Sequence, residues 1–267
     1  MTIAELHGKL NPERPAGAHE RMEDLLTSDV FGTMKYVGWQ YGFTNWLRSA
    51  QSPDAKHYAK HVLPSDDIIR SVHFVFWPLL KNNREPDLLI GFETVTGEIV
   101  QLMIEAKYFS GASDIEIDIE DSTPELSGNQ IADQVNCFPD RFPNVQNKVI
   151  QNVHMYVTAD DSCPLQTYER AADYILKKEI PLFWINWQSL SFFLKDIHTE
   201  DQGRQSMIND LLKLMQRKNL IPFDGFKITL NGHWNKLIGQ SFWEEQPWWQ
   251  VILPHLLSPK GFFKEGS

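Results

Sequence analysis

Three ionisable residues stand at the two ends of a pair of apolar segments in the sequence. Seventeen residues separate Asp87 from Glu105, and Glu105 and Lys107 flank Ala106. Two carboxylates and a backbone carbonyl are the hard oxygen ligands that Mg²⁺ prefers, and a nearby ammonium can stabilise charge on a phosphate. These residue types suggest divalent-metal hydrolysis of a phosphodiester. Asp87, Glu105 and the carbonyl of Ala106 would bind the metal, and Lys107 would assist the water or the charged transition state.

A β-hairpin is the element that would bring these residues together. Residues 87–94 and 99–107 both have strand-forming sequences, and Gly97 supplies a turn residue that tolerates a positive φ. Because side chains alternate along a strand, Glu105 and Lys107 share one face, while the opposite face is uniformly apolar. The hairpin places the start of the first strand beside the end of the second. We therefore expect the two acids and the lysine to converge at one edge of a sheet.

Pro86-Asp87, followed after seventeen residues by Glu105-Ala106-Lys107, resembles the PD-(D/E)XK nuclease superfamily, which has the restriction-endonuclease-like fold. The resemblance implies an α/β core with a central mixed β-sheet flanked by helices, and metal-dependent hydrolysis of DNA. It implies Mg²⁺ as the cofactor, with Mn²⁺ able to substitute. Nucleic acid is the implied partner, DNA favoured over RNA, and a homodimer or a protein partner is a further expectation. A role in microbial defence or DNA processing follows by analogy only.

Two further positions match the superfamily pattern on predicted helices. Glu23 resembles the acidic residue that points into the metal site from the N-terminal helix, with Glu20 and Asp24 as competitors. Gln130 resembles the glutamine on the helix that follows the lysine strand. The resemblance assigns catalytic support to Glu23 and Gln130, and metal ligation to Glu23. The simpler interpretations are acids favoured by the helix dipole and a glutamine on a solvated helix face.

Composition suits a globular protein better than a nucleic-acid binder. The 267 residues are 42% hydrophobic, enough for a substantial core, and no apolar run is long enough to cross a bilayer. The first residues have no apolar run of signal-peptide length, and Cys137 and Cys163 form no metal-binding spacing, so a reducing cytoplasm is expected. The formal net charge of −10 opposes nucleic-acid binding unless the charge is unevenly distributed.

The pattern of the remaining chain predicts alternating strands and helices with a right-handed crossover. Strands are predicted at 71–78, 149–158 and 181–187. Helices are predicted at 15–27, 30–37 (capped by Ser28-Asp29), 42–50, 127–138 (capped by Ser127) and 165–176.

The sequence divides into three parts. Residues 1–14 are expected to be disordered or loosely packed, residues 15–188 form the nuclease-like core, and residues 189–267 form a helical and aromatic extension. The extension contains amphipathic helices followed by a tail rich in Trp and Phe. Stacking of single-stranded bases is one interpretation of the tail, and packing of a small subdomain is the favoured one.

Several alternatives remain open at this point. The main rival function is a catalytically silent nuclease-fold protein that acts in interaction or assembly, and another is hydrolysis of a different phosphate ester. Lys81 and Arg84 could contact a phosphate backbone or form a solvated basic turn. The alternating acids at 114–121 favour a solvated acidic face over a flap that repels nucleic acid. His154 is expected to be a hydrogen-bonded histidine rather than a metal ligand.

Overall fold

A computed structural model of the protein describes residues 18–108 and 127–222, with side chains from residue 22 onward. The described chain is an α/β structure in which helices flank a mixed sheet of five strands. The strands are β1 (Ile69–Phe76), β2 (Leu88–Thr94), β3 (Ile99–Ala106), β4 (Val149–Thr158) and β5 (Leu182–Asn186). The helices are α1 (Ala18–Val37), α2 (Phe43–Arg48), α3 (Gln130–Asn136), α4 (Leu165–Ala172), α5 (Trp187–Lys195) and α6 (Gln202–Arg217), with a short 3₁₀ helix at Ala59–His61.

The strands lie in the sheet in their sequence order, so β3 is the central strand. β1, β2 and β3 pair antiparallel, and β3, β4 and β5 pair parallel. The β2–β3 hairpin is the one predicted from the sequence, and Gly97 has a φ of 80° in its turn, a conformation that glycine adopts without strain. Since β3, β4 and β5 run in the same direction, their carboxyl ends meet at one edge of the sheet.

Both faces of β3 are buried, although only one of them is apolar in sequence. The face that carries Leu102 and Ile104 packs into the larger core, which α1, α2, α5 and α6 cover. The face that carries Met103 packs into a second core under α3 and α4. Gln101 is buried on this second face, and its amide donates to the carbonyl of Pro139 at 3.0 Å. The sheet is thus the middle layer of three, and polar side chains at the end of β3 are enclosed by helices.

Three large aromatic side chains form the centre of the larger core. Phe31, Trp46 and Trp187 are at most 1% exposed, and the two indole rings stack with centroids 6.0 Å apart. Burying each of these side chains stabilises the fold by roughly 2–3 kcal/mol relative to exposure. Trp46 also donates its indole N–H to Ser189 Oγ at 2.9 Å, which ties α2 to α5. The cluster fixes α1, α2 and α5 against the sheet face that lies behind the candidate site.

Two predicted helix starts are wrong. Ser28 does not cap a second helix, because α1 continues without a break from Ala18 to Val37 and buries Ser28. Ser127 does not cap α3 either. Asn129 is the N-cap, its side chain accepting from the N–H of Ala132 at 3.0 Å, while the Ser127 hydroxyl donates to the Asp133 carboxylate. In each case a hydrogen bond or burial within the fold outweighed the local capping preference.

Helices α5 and α6 belong to the same compact unit as the sheet. This unit ends at Pro222. α6 packs against α1, and α5 packs against α2. The predicted division at residue 189 stays a prediction, because most of the extension, residues 223–267, lies outside the described part of the chain. The expectations for residues 1–14 and 114–121 lie outside it as well. None of the described helices combines the length and apolar character needed to cross a membrane.

Candidate active site

The hairpin brings Asp87 and Glu105 to adjoining positions at one end of the sheet. The last residue pair of the β2–β3 ladder is Leu88 with Ile104, and the next positions outward are Asp87 and Glu105. Asp87 Oδ2 accepts a hydrogen bond from the backbone N–H of Ala106 at 2.8 Å. Asp87 is 7% exposed and Glu105 is 1% exposed. The two carboxylates are therefore close together, as the hairpin predicts, and the fold shields both of them from water.

Lys107 connects this pair to the N-terminal helix. Its Nζ lies 2.7 Å from Glu105 Oε1 and 3.0 Å from Glu23 Oε1. The indole N–H of Trp187 donates to the Lys107 carbonyl at 2.9 Å, so the buried aromatic core also fixes the backbone at this point. Lys107 thus lies inside a cluster of carboxylates rather than on a solvated strand end.

Glu23 reaches the cluster from α1, as the resemblance implies. Besides Lys107, it accepts the backbone N–H of Tyr108 through Oε2 at 3.1 Å. The side chain of Glu20, one of its competitors, lies outside the described part of the chain. We name Glu23, Asp87, Glu105 and Lys107 the carboxylate cluster.

Two glutamines on α3 hold the Glu105 carboxylate from the other side. Gln130 donates to Oε1 and Gln134 donates to Oε2, both at 2.6 Å. The motif-based prediction chose Gln130 and assigned no role to Gln134. The spacing of Gln130 and Gln134 was a signal in the sequence, because residues four apart on a helix lie on the same face. If one of them hydrogen-bonds to Glu105, the other is within reach of the same carboxylate. Glu105 therefore has its orientation determined by three donors, the third being Lys107.

His154 supports Gln134 from β4. It is fully buried, and its Nε2 lies 3.0 Å from Gln134 Oε1. Since the amide oxygen only accepts, Nε2 carries the proton, and Nδ1 is the unprotonated nitrogen. Burial lowers the pKa of His154 to about 3, so the ring is neutral at physiological pH. The prediction of a hydrogen-bonded histidine is confirmed, and sequence reasoning missed its link to Glu105.

The electrostatics of the cluster leave room for a divalent cation. Burial, reinforced by the neighbouring Glu105, raises the pKa of Asp87 well above its usual value. Burial alone would lower the pKa of Lys107, but Glu105, Asp87 and Glu23 outweigh it and raise that pKa. With every group ionised, three carboxylates and one ammonium carry a formal charge of −2, which one divalent ion would neutralise.

The donor set also fits Mg²⁺. Asp87 and Glu105 provide carboxylate oxygens, and the Glu105 oxygens accept three hydrogen bonds in all, leaving about one of their four lone-pair positions for a metal. Within the described ranges, no group of three or more His, Cys, Asp or Glu side chains is arranged as a metal cage. Mg²⁺ commonly binds through only one or two carboxylates, with water and substrate phosphates completing its coordination.

Arg84 has a structural partner beside the cluster. Its guanidinium donates to Asp133 Oδ2 through Nε at 3.0 Å and Nη2 at 2.6 Å, and Asp133 is 1% exposed. Lys81, by contrast, forms an exposed ion pair with Asp140 at 3.7 Å. A phosphate contact and a solvated basic turn were the two interpretations of these residues. Arg84 is not solvated, because it joins the loop before β2, which carries Asp87, to α3, which carries the glutamines.

Two cavities differ in their relation to the cluster. An apolar cavity of about 560 Å³ lies at the start of β5, lined in part by Tyr58, Ile180 and Phe183. A second cavity of about 630 Å³ lies at the carboxyl ends of the parallel strands, and we name it the α6 cavity. Residues lining the α6 cavity include Met22, Tyr108, Ala159, Gln188, Arg217 and Lys218. The α6 cavity is the more polar of the two. It adjoins the carboxylate cluster, because Met22 and Tyr108 are the sequence neighbours of Glu23 and Lys107.

The fold and the site define an α/β protein with a buried cluster of carboxylates and one lysine at the end of its central hairpin. Comparison of the chain with protein families, curated proteins and solved structures finds no match.

Proposed function

We propose that the protein is a metal-dependent nuclease of the PD-(D/E)XK type, with a restriction-endonuclease-like core, that hydrolyses phosphodiester bonds of DNA. The observation that carries this proposal is the convergence of Asp87, Glu105 and Lys107 from the two strands of one hairpin into a buried cluster. A cluster with excess negative charge has a large desolvation cost unless a cation offsets it. Such a cluster is expected where a cation is to be bound, since the cation supplies the missing positive charge.

In this proposal Asp87 and Glu105 hold Mg²⁺, with the Ala106 carbonyl and Glu23 as further ligands. Bound Mg²⁺ would polarise the phosphate and lower the pKa of an attacking water. Because its neighbours raise the pKa of Lys107, the side chain stays protonated and acts as a positive charge toward the phosphate, not as a general base. Glu23 orients Lys107, and Gln130 orients Glu105.

The test is cleavage of supercoiled plasmid and of single-stranded DNA in Mg²⁺ or Mn²⁺. We expect activity in the parent and a loss of at least 100-fold in Asp87→Asn, Glu105→Gln and Lys107→Met, since each removes a group with a separate role. Matched controls are Glu98→Gln in the hairpin turn and Lys148→Met before β4. Both should cleave at the parental rate, and circular dichroism checks that every variant is folded.

Calorimetry with Mn²⁺ gives a second, independent measurement. Asp87→Asn and Glu105→Gln should bind Mn²⁺ at least tenfold more weakly than the parent, because each loses a ligand charge, whereas Lys107→Met should retain binding. A parent that neither binds Mn²⁺ nor cleaves any substrate would overturn the proposal. The same cluster would then be a structural ion network, in line with the alternative of an interaction or assembly protein and with the net charge of −10.

A further inference from the structure

The α6 cavity lies where ligands of open α/β sheets usually bind. Tyr108, Ala159 and Gln188 line it, and they follow the ends of β3, β4 and β5 respectively. In such sheets the crevice outside the carboxyl ends of parallel strands is the common ligand position. Its volume of about 630 Å³ falls within the range of small-ligand pockets. The cavity is thus large enough for one nucleotide unit.

The cavity shares its wall with the carboxylate cluster. Met22 directly precedes Glu23, and Tyr108 directly follows Lys107. The backbone N–H of Tyr108 donates to Glu23 Oε2 at 3.1 Å, which joins the two wall segments. A nucleic-acid strand bound in the cavity would therefore contact residues that are one or two positions in the sequence from the proposed metal ligands Glu23 and Ala106.

The cations of the cavity come from the end of α6. Arg217 and Lys218 both line it, and no carboxylate is among the described residues that do so. Tyr108 holds this helix end in place, because its hydroxyl donates to the Lys218 carbonyl at 2.9 Å and the Lys218 ammonium lies 4.8 Å from its ring centroid. Asp29 on α1 offsets part of the Lys218 charge. The Lys218 ammonium, which carries the remaining positive charge, lies against the Tyr108 ring.

A pair of cations beside the cluster would strengthen the binding of a nucleic-acid strand. Lys107 is engaged by Glu105 and Glu23, so its charge is already offset before a substrate arrives. A chain with a formal charge of −10 repels a polyanion at long range. Local positive charge from another element would therefore favour the binding of a nucleic-acid strand beside the cluster.

We propose that the α6 cavity binds a backbone phosphate of a nucleic-acid strand, with Arg217 and Lys218 as the phosphate ligands. Met22 and the Tyr108 ring form the apolar surface against which the adjoining sugar or base packs. The assignment rests on the proposed nuclease function and extends it, since it gives the helix beyond the predicted nuclease core a direct role in substrate binding. Neutralising this phosphate contributes a salt-dependent part of the affinity for DNA.

The test is fluorescence anisotropy with a labelled single-stranded oligonucleotide of 20 nucleotides, in EDTA so that no cleavage occurs. Arg217→Gln/Lys218→Gln is compared with the parent over a series of salt concentrations. We expect a loss of affinity of at least tenfold at low salt, and a salt slope smaller by about 0.7, the value for one neutralised phosphate on a single strand. Lys218→Arg keeps the charge and should bind within twofold of the parent.

The matched control is Lys195→Gln/Lys213→Gln, which removes two charges that do not line the cavity. This control should bind the oligonucleotide within about threefold of the parent, because charges distant from the phosphates are screened by salt. Equal losses in the control and the cavity variant would overturn the proposal in favour of a general charge effect. Parental affinity in the cavity variant, or a parent that binds no oligonucleotide, would also overturn it.

The outcomes separate this site from the nuclease proposal. Loss of binding in the cavity variant, together with a parent that neither cleaves DNA nor binds Mn²⁺, would support the phosphate site and contradict the nuclease. Cleavage by the parent and equally by the cavity variant, with parental KM, would support the nuclease and contradict the phosphate site. Asp87→Asn should bind the oligonucleotide in EDTA at least as well as the parent, because it removes a negative charge without touching the cavity.

Discussion

Gln134 bridges His154 and Glu105, so that a neutral histidine in the interior of β4 determines the orientation of the buried carboxylate. The amide accepts from His154 Nε2 at 3.0 Å through its oxygen and donates to Glu105 Oε2 at 2.6 Å through its nitrogen. With the histidine proton on Nε2, the amide can only be oriented with its NH₂ toward Glu105. The three residues act as one hydrogen-bonded chain that ends at a proposed metal ligand.

Breaking this chain should weaken Mn²⁺ binding without removing a ligand. For His154→Leu we expect about 10- to 100-fold lower affinity by calorimetry, because the amide loses the donor that orients it, an effect typical of outer-shell partners. His154→Gln offers an amide N–H in place of Nε2–H and should recover most of the affinity.

Gln216→Leu, on the exposed face of α6, is the control and should bind Mn²⁺ as the parent does. Parental affinity in a folded His154→Leu variant would show that Glu105 keeps its orientation without the histidine. Equal weakening in the leucine and glutamine variants would point to packing and not to the donated proton.

The same histidine should make stability depend on pH. His154 has a pKa of about 3 in the folded protein, lowered by burial from 6.5, so below pH 6.5 the unfolded chain binds a proton that the folded chain does not. The contribution of the neutral His154 ring to stability is therefore fully present above pH 6.5 and is lost as the pH falls toward 3. Between pH 7.5 and pH 5 the loss is about 2 kcal/mol from this one residue.

Urea unfolding at both pH values, for the parent and for His154→Gln, measures this contribution. The variant cannot titrate at this position, so its stability should fall by about 2 kcal/mol less than that of the parent over the same interval. An identical fall in both proteins would mean that the His154 ring is protonated in the folded state.

Arg84 and Lys81 allow a comparison of a buried and an exposed ion pair in the same loop. Arg84→Met removes the ion-pair partner of Asp133, which is 1% exposed, and we expect a loss of about 3–5 kcal/mol in the free energy of unfolding. Lys81→Met breaks an exposed pair and should change stability by less than about 1 kcal/mol.

Chemical denaturation measures both variants, and oligonucleotide binding under the same conditions tests the phosphate role that the sequence suggested for these residues. If Arg84→Met were as stable as the parent but bound DNA more weakly, Arg84 would be a substrate contact instead of a structural one.

The hairpin was predictable because its signals are local. Alternating side chains in β3 and a glycine suited to a positive φ are sufficient to place Asp87 beside Glu105. The burial of Gln101, on the polar side of β3, was not predictable, since its partners are 38 and 51 residues away in the chain. The sequence pattern shows which side chains share a face, whereas only the fold shows what covers that face.

The supporting residues of the site illustrate the same limit. Gln130 and Gln134 share a helix face by spacing alone, but choosing between them required the position of α3 over Glu105. Tertiary contacts also replaced the expected caps, since Ser127 donates to Asp133 and leaves Asn129 to cap α3. The role of His154 depends on a residue of another element and has no signal in its own neighbourhood.

Asp87→Asn should stabilise the metal-free protein while weakening Mn²⁺ binding. Burial and the Glu105 charge raise the folded-state pKa of Asp87, so the folded chain holds a proton that the unfolded chain releases above its ordinary pKa. The contribution of Asp87 to stability is therefore greatest below the unfolded pKa and is lost as the pH rises through the folded one. Asparagine keeps an oxygen that accepts the hydrogen bond from the Ala106 N–H. Because it does not ionise, it avoids the loss of stability at high pH.

We expect thermal unfolding in EDTA to show Asp87→Asn more stable than the parent at pH 8 by about 1–3 kcal/mol, the usual cost of a poorly compensated buried polar group. The difference should narrow as the pH falls toward 4, because the parent carboxyl then becomes protonated in the folded state. Glu98→Gln in the exposed turn is the control, with a change within about 0.5 kcal/mol at both pH values. A parent that is more stable than Asp87→Asn at pH 8 would mean that Lys107 and the Ala106 N–H fully compensate the charge, so that the cluster is complete without a metal ion.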